Sequence, residues 1–220
     1  SFEFTVYNVD PAISSIADIA RQEGENIDYD ISLSFITTGN YTWDISSTLQ
    51  CLPGYLLDIS ALSDVDGKPG AKIIGKPDWS AGGSGSETYT IDIDVSDGEH
   101  GHTSTSFVLT VNNKVPTFSL AHDTLTINEN TDISNWVSSL DISTSGSNIS
   151  DYVWEISSNP TLPCSPDLSI NNMGKITGTP DWSAGGTDSI DYTITVSIDD
   201  QFDGESNVSF VLTVDNVDPS

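Results

Sequence analysis

A block of 45 residues occurs twice in this chain, and that duplication limits the folds open to it. Residues 72–116, KIIGKPDWSAGGSGSETYTIDIDVSDGEHGHTSTSFVLTVNNKVP, return without a gap at 175–219 as KITGTPDWSAGGTDSIDYTITVSIDDQFDGESNVSFVLTVDNVDP, with 24 of the 45 positions identical. Self-similarity at this length means duplicated modules, each burying its own core. A partial third copy opens the chain, because SFEFTVYNVDP at 1–11 matches SFVLTVDNVDP at 209–219. Three segments follow: the last strand and linker of a preceding repeat at 1–10, repeat one at 11–115 and repeat two at 116–220. The chain then reads as a window from a longer array, with an N-terminal assembly strand as the other reading of residues 1–10.

Within each repeat the apolar residues alternate, the period of a half-buried strand. Phe2, Phe4 and Val6 share one face of the opening segment, and Ile27, Tyr29, Ile31, Leu33 and Phe35 share one face further on. Tyr41, Trp43 and Ile45 correspond to Tyr152, Trp154 and Ile156, aromatic strands suited to the centre of each core. Tyr89, Ile91, Ile93 and Val95 point inward along one strand, and Phe107, Leu109 and Val111 along the next. The segment SSIADIARQEG has some helical spacing, but its counterpart in the second repeat does not, so a strand is expected there. Ser63–Gly70 is longer than its counterpart and reads as a surface insertion. Roughly seven strands of five to eight residues per repeat, with turn signals between them, predict an all-β chain of two tandem Ig-like sandwiches.

Six Lys plus Arg against 33 Asp plus Glu leave a net charge of −27. Such a surface repels nucleic acid and anionic lipid and attracts cations. No apolar run is long enough to span a bilayer as a helix. Cys51 and Cys164 hold matching places, one per repeat, and read as small buried thiols. The sequons at Asn40, Asn148 and Asn207 are candidate glycosylation sites, which fits an external protein.

The run LPCSPDLSINNMGKITGTPDW at 162–182, followed by YTITVSIDD and SFVLTVDN, resembles the immunoglobulin-like and dystroglycan-type cadherin-like repeats of bacterial and archaeal surface proteins. The resemblance covers both repeats, although repeat one has GKP in place of GTP. It implies Ig-like sandwiches strung in arrays on surface layers, adhesins or secreted multidomain proteins, with partners among neighbouring repeats or subunits and surface glycans or proteins. It also implies calcium at the module junctions. The matching positions are Glu25 and Glu129 near the repeat starts, Asp97 and Asp200 at the end of the Tyr-led strand, and linker residues Asn8, Asp10, Asn112, Asn113, Asp215, Asn216 and Asp218. Calcium takes six to eight oxygens from such groups. The Asp-Arg-Glu element of cadherins is missing, with Pro-Asp-Trp in its place, and Lys114 stands where a ligand would help.

Other constellations point less far. Asp64-Val-Asp66-Gly67 starts like a calcium loop but lacks the closing Glu, so an exposed turn is the simpler reading. His100 and His102 have no evident third ligand. Trp79 and Trp182 of the repeated PDWSAGG loop suit packing first and sugar stacking second, and Trp136 is an aromatic without a repeat partner. No nucleophile elbow, HExxH, phosphate loop or basic patch occurs. The expectation is a non-catalytic, extracellular structural module of a microbial surface layer or array. A calcium-dependent adhesin stalk or a glycan-binding module is the alternative.

Overall fold

The structure is a computed structural model that describes residues 2–5, 8–34, 40–65, 67–120, 123–135, 140–141, 152–202 and 204–217. It divides into two compact units, Ser1–Asn113 and Lys114–Ser220.

In the first unit, strands β1 (Ile19–Gln22), β7 (His102–Asn112), β6 (Ser86–Ser96) and β3 (Thr42–Ser46) form one sheet in that order, and β2 (Ile27–Ser32), β5 (Lys68–Gly75) and β4 (Asp58–Val65) form a second. β1 runs parallel to β7, with Ile19 opposite Leu109 and Arg21 opposite Val111, while the other pairs are antiparallel. The alternation seen in the sequence decides which side chains lie between the sheets. Ile91, Ile93, Phe107, Leu109 and Val111 from one sheet meet Ile27, Ile31, Ala71 and Ile73 from the other in a single buried cluster. Each such aliphatic side chain contributes about 1.5–3 kcal/mol on burial, so this alternation holds the sandwich closed.

The second unit repeats the arrangement around its own core. Its main sheet runs β11 (Val153–Asn159), β14 (Ser189–Asp199), β15 (Glu205–Asp215) and β9 (Thr124–Asn128), and β9 is again parallel to β15. Two short ladders complete the description, β8 (Ser119–Leu120) with β10 (Leu140–Asp141) and β12 (Ser169–Ile170) with β13 (Ile176–Thr177). A 3-10 turn at Ile133–Asn135 follows β9. Tyr192, Ile194, Val196 and Ile198 pack with Phe210, Leu212, Val214 and Ile176, and Phe118 meets Trp154 edge to face at 5.7 Å. The fold class is therefore all-β, two sandwiches in tandem.

Three expectations change in detail. The β6–β7 and β14–β15 hairpins have arms of 11 residues, longer than expected, because the alternation and its cross-strand partners continue without interruption to the turn. Ser63–Gly70 is no separate surface loop. It extends the arms of the β4–β5 hairpin, with a register shift between Leu62 and Val65 and a turn at Gly67, whose φ of 78° suits glycine. Residues 2–5 form no strand: Phe2 is 93% and Phe4 88% exposed, and no ladder reaches them. A strand needs a neighbour for its backbone groups and a sheet behind its apolar face, and among the described residues this segment has neither. Val6, Phe35, His122, Trp136, Asn148 and Asp218 lie outside the described residues.

Candidate functional site at the repeat joints

The acids singled out in the sequence collect at the ends of the strands, where one repeat would hand over to the next. Asp97 follows β6 directly, and its Oδ1 accepts the N–H groups of Glu99 at 2.8 Å and Gly101 at 2.9 Å. Asp200, at the same place after β14, accepts from Phe202 at 2.8 Å and Gly204 at 2.9 Å. A Cβ at Gly101 or Gly204 would collide with the carboxylate it binds, so each turn requires its glycine. The second oxygen of Asp97 faces the opening linker: Asn8 Nδ2 donates to Asp97 Oδ2 at 3.2 Å and to the Glu99 carbonyl at 3.0 Å. The Glu99 N–H chiefly, with the Asn8 amide and the Gly101 N–H, holds the Asp97 carboxyl below the usual aspartate range. The carboxylate also helps to raise the Tyr41 hydroxyl pKa, after the larger effect of burial.

At the opposite end of each sandwich a buried glutamate takes over. Glu129 is 4% exposed and follows β9; its backbone N–H bonds the Asp215 carbonyl at 3.0 Å. Its carboxylate accepts the N–H of Gly185 at 3.3 Å and of Val217 at 3.1 Å, tying the PDWSAGG loop and the exit linker to the strand end. The equivalent residue in the first unit is Glu23, not Glu25. Glu23 is 2% exposed, its N–H bonds the Asn112 carbonyl at 3.1 Å, and its Oε1 accepts Gly82 N–H at 2.7 Å. Glu25 is exposed and accepts the Gln22 N–H at 2.9 Å within its own turn.

The missed signal was the residue after the glutamate. Gly24 and Asn130 both sit in the left-handed region, with φ of 64° and 58°, a conformation that Gly and Asn tolerate. Reading Gln-Glu-Gly against Asn-Glu-Asn on that ground finds Glu23, whereas matching the Glu-Asn pairs by letter finds Glu25.

The linker candidates act mostly through their backbone. Asn113 N–H bonds the Gly85 carbonyl at 2.8 Å, and Asn216 N–H bonds the Asp188 carbonyl at 2.7 Å. A Cβ at Gly82 would strike Asn113 N and one at Gly185 would strike Asn216 N, so the Gly-Gly of each loop lets the linker backbone pass close by. Asp78 and Asp181 cap the same loops by accepting from the backbone and hydroxyl of Ser80 and Ser183. Tyr89 and Tyr192 clamp the loops from the strand side, donating to the Ala81 and Ala184 carbonyls at 2.7 and 2.8 Å.

The two loops differ in one respect. Trp79 covers Gly24 so closely that a Cβ there would collide with its ring. Asn130 carries a Cβ at the matching place, and Trp182 points into solvent, 63% exposed.

The remaining candidates stay apart. His102 lies 3.3 Å from Asp94, and no group of three or more His, Cys, Asp or Glu among the described residues is placed to hold a metal ion. Cys51 and Cys164 are half-buried free thiols. Burial first, then the charges of Asp181 and Asp167, pushes the Cys164 thiol up to about 11. Asn40 and Asn207 are exposed, as a glycan acceptor must be, with Asn207 on β15.

Calcium, which the resemblance implies, needs oxygens turned toward it. Glu129 instead turns both carboxylate oxygens to N–H donors, and Asp97 meets two N–H groups and an amide nitrogen. Within the units, the donor sets at these two carboxylates do not fit a cation.

Residues 112–214 match the family model described as bacterial Ig domain. No curated protein matches the chain. Among solved structures, the chain is similar to mouse clustered PcdhgC3 EC1–3, at 10% identity over 95% of this chain and 68% of that one with a TM-score of 0.36. It is similar to human mucin-like protocadherin EC1–2, at 11% identity over 94% of this chain and 98% of that one, TM-score 0.38. Drosophila N-cadherin EC1–4 gives 13% identity over 96% of this chain and 50% of that one, TM-score 0.34.

Proposed function

We propose that this chain, a tandem of Ig-like, cadherin-like repeats whose residues 112–214 match the family model described as bacterial Ig domain, has a non-catalytic, extracellular role: spacing and assembly within a microbial surface layer or surface array. The supporting observation is the joint. The Asn-x-x-Pro linker occurs at 8–11, 113–116 and 216–219, each time after a stretch with the same alternating sequence pattern. Phe2, Phe4 and Val6 align with Phe107, Leu109 and Val111, of which all three are buried. Residues 1–7 are therefore assigned as the last strand of a preceding repeat, or as a strand that completes a neighbouring subunit. A chain whose joints recur at nearly equal intervals, 105 and 103 residues, is built to set distance. The acidity and the exposed sequons Asn40 and Asn207 suit an exterior setting.

The test uses the parent protein on intact cells. Removing one repeat, from one Asn-x-x-Pro joint to the next, is expected to keep the protein accessible to a membrane-impermeant label. It is also expected to shorten the reach of a distal epitope by one repeat length. An unlabelled protein, or an unchanged reach, would sink this reading.

A glycan-binding role rests on one observation, exposed Trp182 on a loop fixed by Asp181, Tyr192 and Glu129. Glycan-array binding that is lost in Trp182→Ala and kept in Trp79→Ala would support it. The calcium-dependent adhesin stalk is the other form of the structural role, and the donor sets at Asp97 and Glu129 oppose it. The experiment that closes the next subsection separates the two.

A further inference from the structure

We infer that the joint at Asn8 is closed without metal, the amide of the linker asparagine occupying the place between the Asp97 carboxylate and the Glu99 carbonyl where a cation would sit. The inference rests on reading residues 1–10 as the end of a preceding repeat and deepens that reading. The geometry is specific. Asn8 Nδ2 has two protons, and it lies 3.2 Å from Asp97 Oδ2 and 3.0 Å from Glu99 O. One –NH2 thus satisfies a carboxylate oxygen and a carbonyl oxygen together.

The group is open to solvent and packs against Gly101 on one side. Gly101 lies so close that a Cβ on it would reach the Asp97 carboxylate and come within 3.0 Å of Asn8 Nδ2. The other Asp97 oxygen is held by the Glu99 and Gly101 N–H groups. Calcium at this point would have to displace the Asn8 amide nitrogen from both the Asp97 carboxylate oxygen and the Glu99 carbonyl oxygen.

The opposite end of the second unit uses the same solution. Glu129, buried like a ligand, bonds the Gly185 and Val217 N–H groups and so fixes the direction in which the exit linker leaves. The two ends agree on a principle: the negative charges of the joint are neutralised by polarised N–H groups of the protein itself. A carboxylate so held has its partners in place without a bound cation.

An aspartate at position 8 would reverse the sign of the contact. Two carboxylates would then face each other across the distance now spanned by the amide, and repulsion would open the joint unless a cation bridged them.

The test is thermal unfolding combined with NMR of the whole 220-residue chain, in EDTA, in millimolar Ca²⁺ and in millimolar Mg²⁺. In the native sequence we expect equal Tm values in Ca²⁺ and Mg²⁺, and Asn8 side-chain amide protons that exchange more slowly than those of a free asparagine. In Asn8→Asp we expect a lower Tm in EDTA, recovered by Ca²⁺ more than by Mg²⁺. Asn8→Ala is expected to lose the contact and to gain no calcium response. A Ca²⁺-specific rise in Tm of the native sequence, with calcium-dependent shifts of the Asn8 side-chain signals, would overturn the inference and leave the array reading standing. Asn8 amide protons exchanging at the free rate would overturn it as well.

Discussion

The residue that most repays attention is Glu129, with its counterpart Glu23. A carboxylate this deeply buried is stable only when hydrogen-bonded, and the partners of Glu129 are the backbone N–H groups of Gly185 and Val217. Glu129→Ala is expected to lower stability by about 1–3 kcal/mol, since it leaves the buried Gly185 N–H unpaired. Glu129→Gln is expected to cost less, because its carbonyl oxygen can keep one bond. Urea unfolding of the two variants checks the order. The carboxyl groups of Asp97, Asp132 and Asp181 are each held below the usual range, chiefly by the N–H of Glu99, by the Ser134 N–H and by the Ser183 hydroxyl. A depressed carboxyl contributes stability that is fully present above the unfolded value of about 3.9 and is lost as pH falls through the folded value. Tm is therefore expected to be flat from neutral pH down to about 5 and to decline below about 4. Asp97→Asn combined with Asp181→Asn should flatten that acid limb. The Cys164 thiol, pushed up to about 11, stays protonated at neutral pH. Alkylation at pH 8 is expected to be much slower in the folded chain than in urea.

At the scale of elements, the PDWSAGG loop shows how one side chain elsewhere decides the role of an invariant sequence. The loop is identical in both units and is clamped by the same Asp cap, Tyr hydroxyl and Gly-Gly passage, yet Trp79 is packed and Trp182 is not. Gly24 has no Cβ and leaves room for the indole, whereas Asn130 fills that room. Gly24→Asn keeps the left-handed backbone and is expected to push Trp79 out, raising acrylamide quenching of tryptophan fluorescence to the level of Trp182. Unchanged quenching would show that the ring is held by something other than the missing Cβ. Gly185→Ala, by contrast, drives a methyl into the Asn216 backbone, which cannot move without breaking its bond to Asp188. A loss of about 1–3 kcal/mol is expected, the range for forcing atoms into a packed site. The strands themselves were legible because their period of two is a local property. The Ser63–Gly70 hairpin was not, because the sequence records extra residues there but not whether they lengthen a ladder or leave it.

For the whole molecule, charge sets the behaviour in solution. At −27, each unit compacts against its own repulsion, so raising NaCl from about 10 mM to about 150 mM is expected to raise Tm, as the screening length falls from about 30 to about 8 Å. A salt-independent Tm would mean that the local N–H neutralisation described at the joints already outweighs the long-range field. The sequence by itself determined the number of modules, their sandwich class and the inward faces of β6, β7, β14 and β15. Each of these follows from repetition and alternation, which are written along one dimension. Only the tertiary structure decided that Glu23 rather than Glu25 matches Glu129, that Asn8 reaches Asp97, and that Trp79 and Trp182 part company. Those outcomes depend on which atoms meet across 55 to 89 residues of chain, and on a backbone conformation at one glycine, neither of which any local pattern carries.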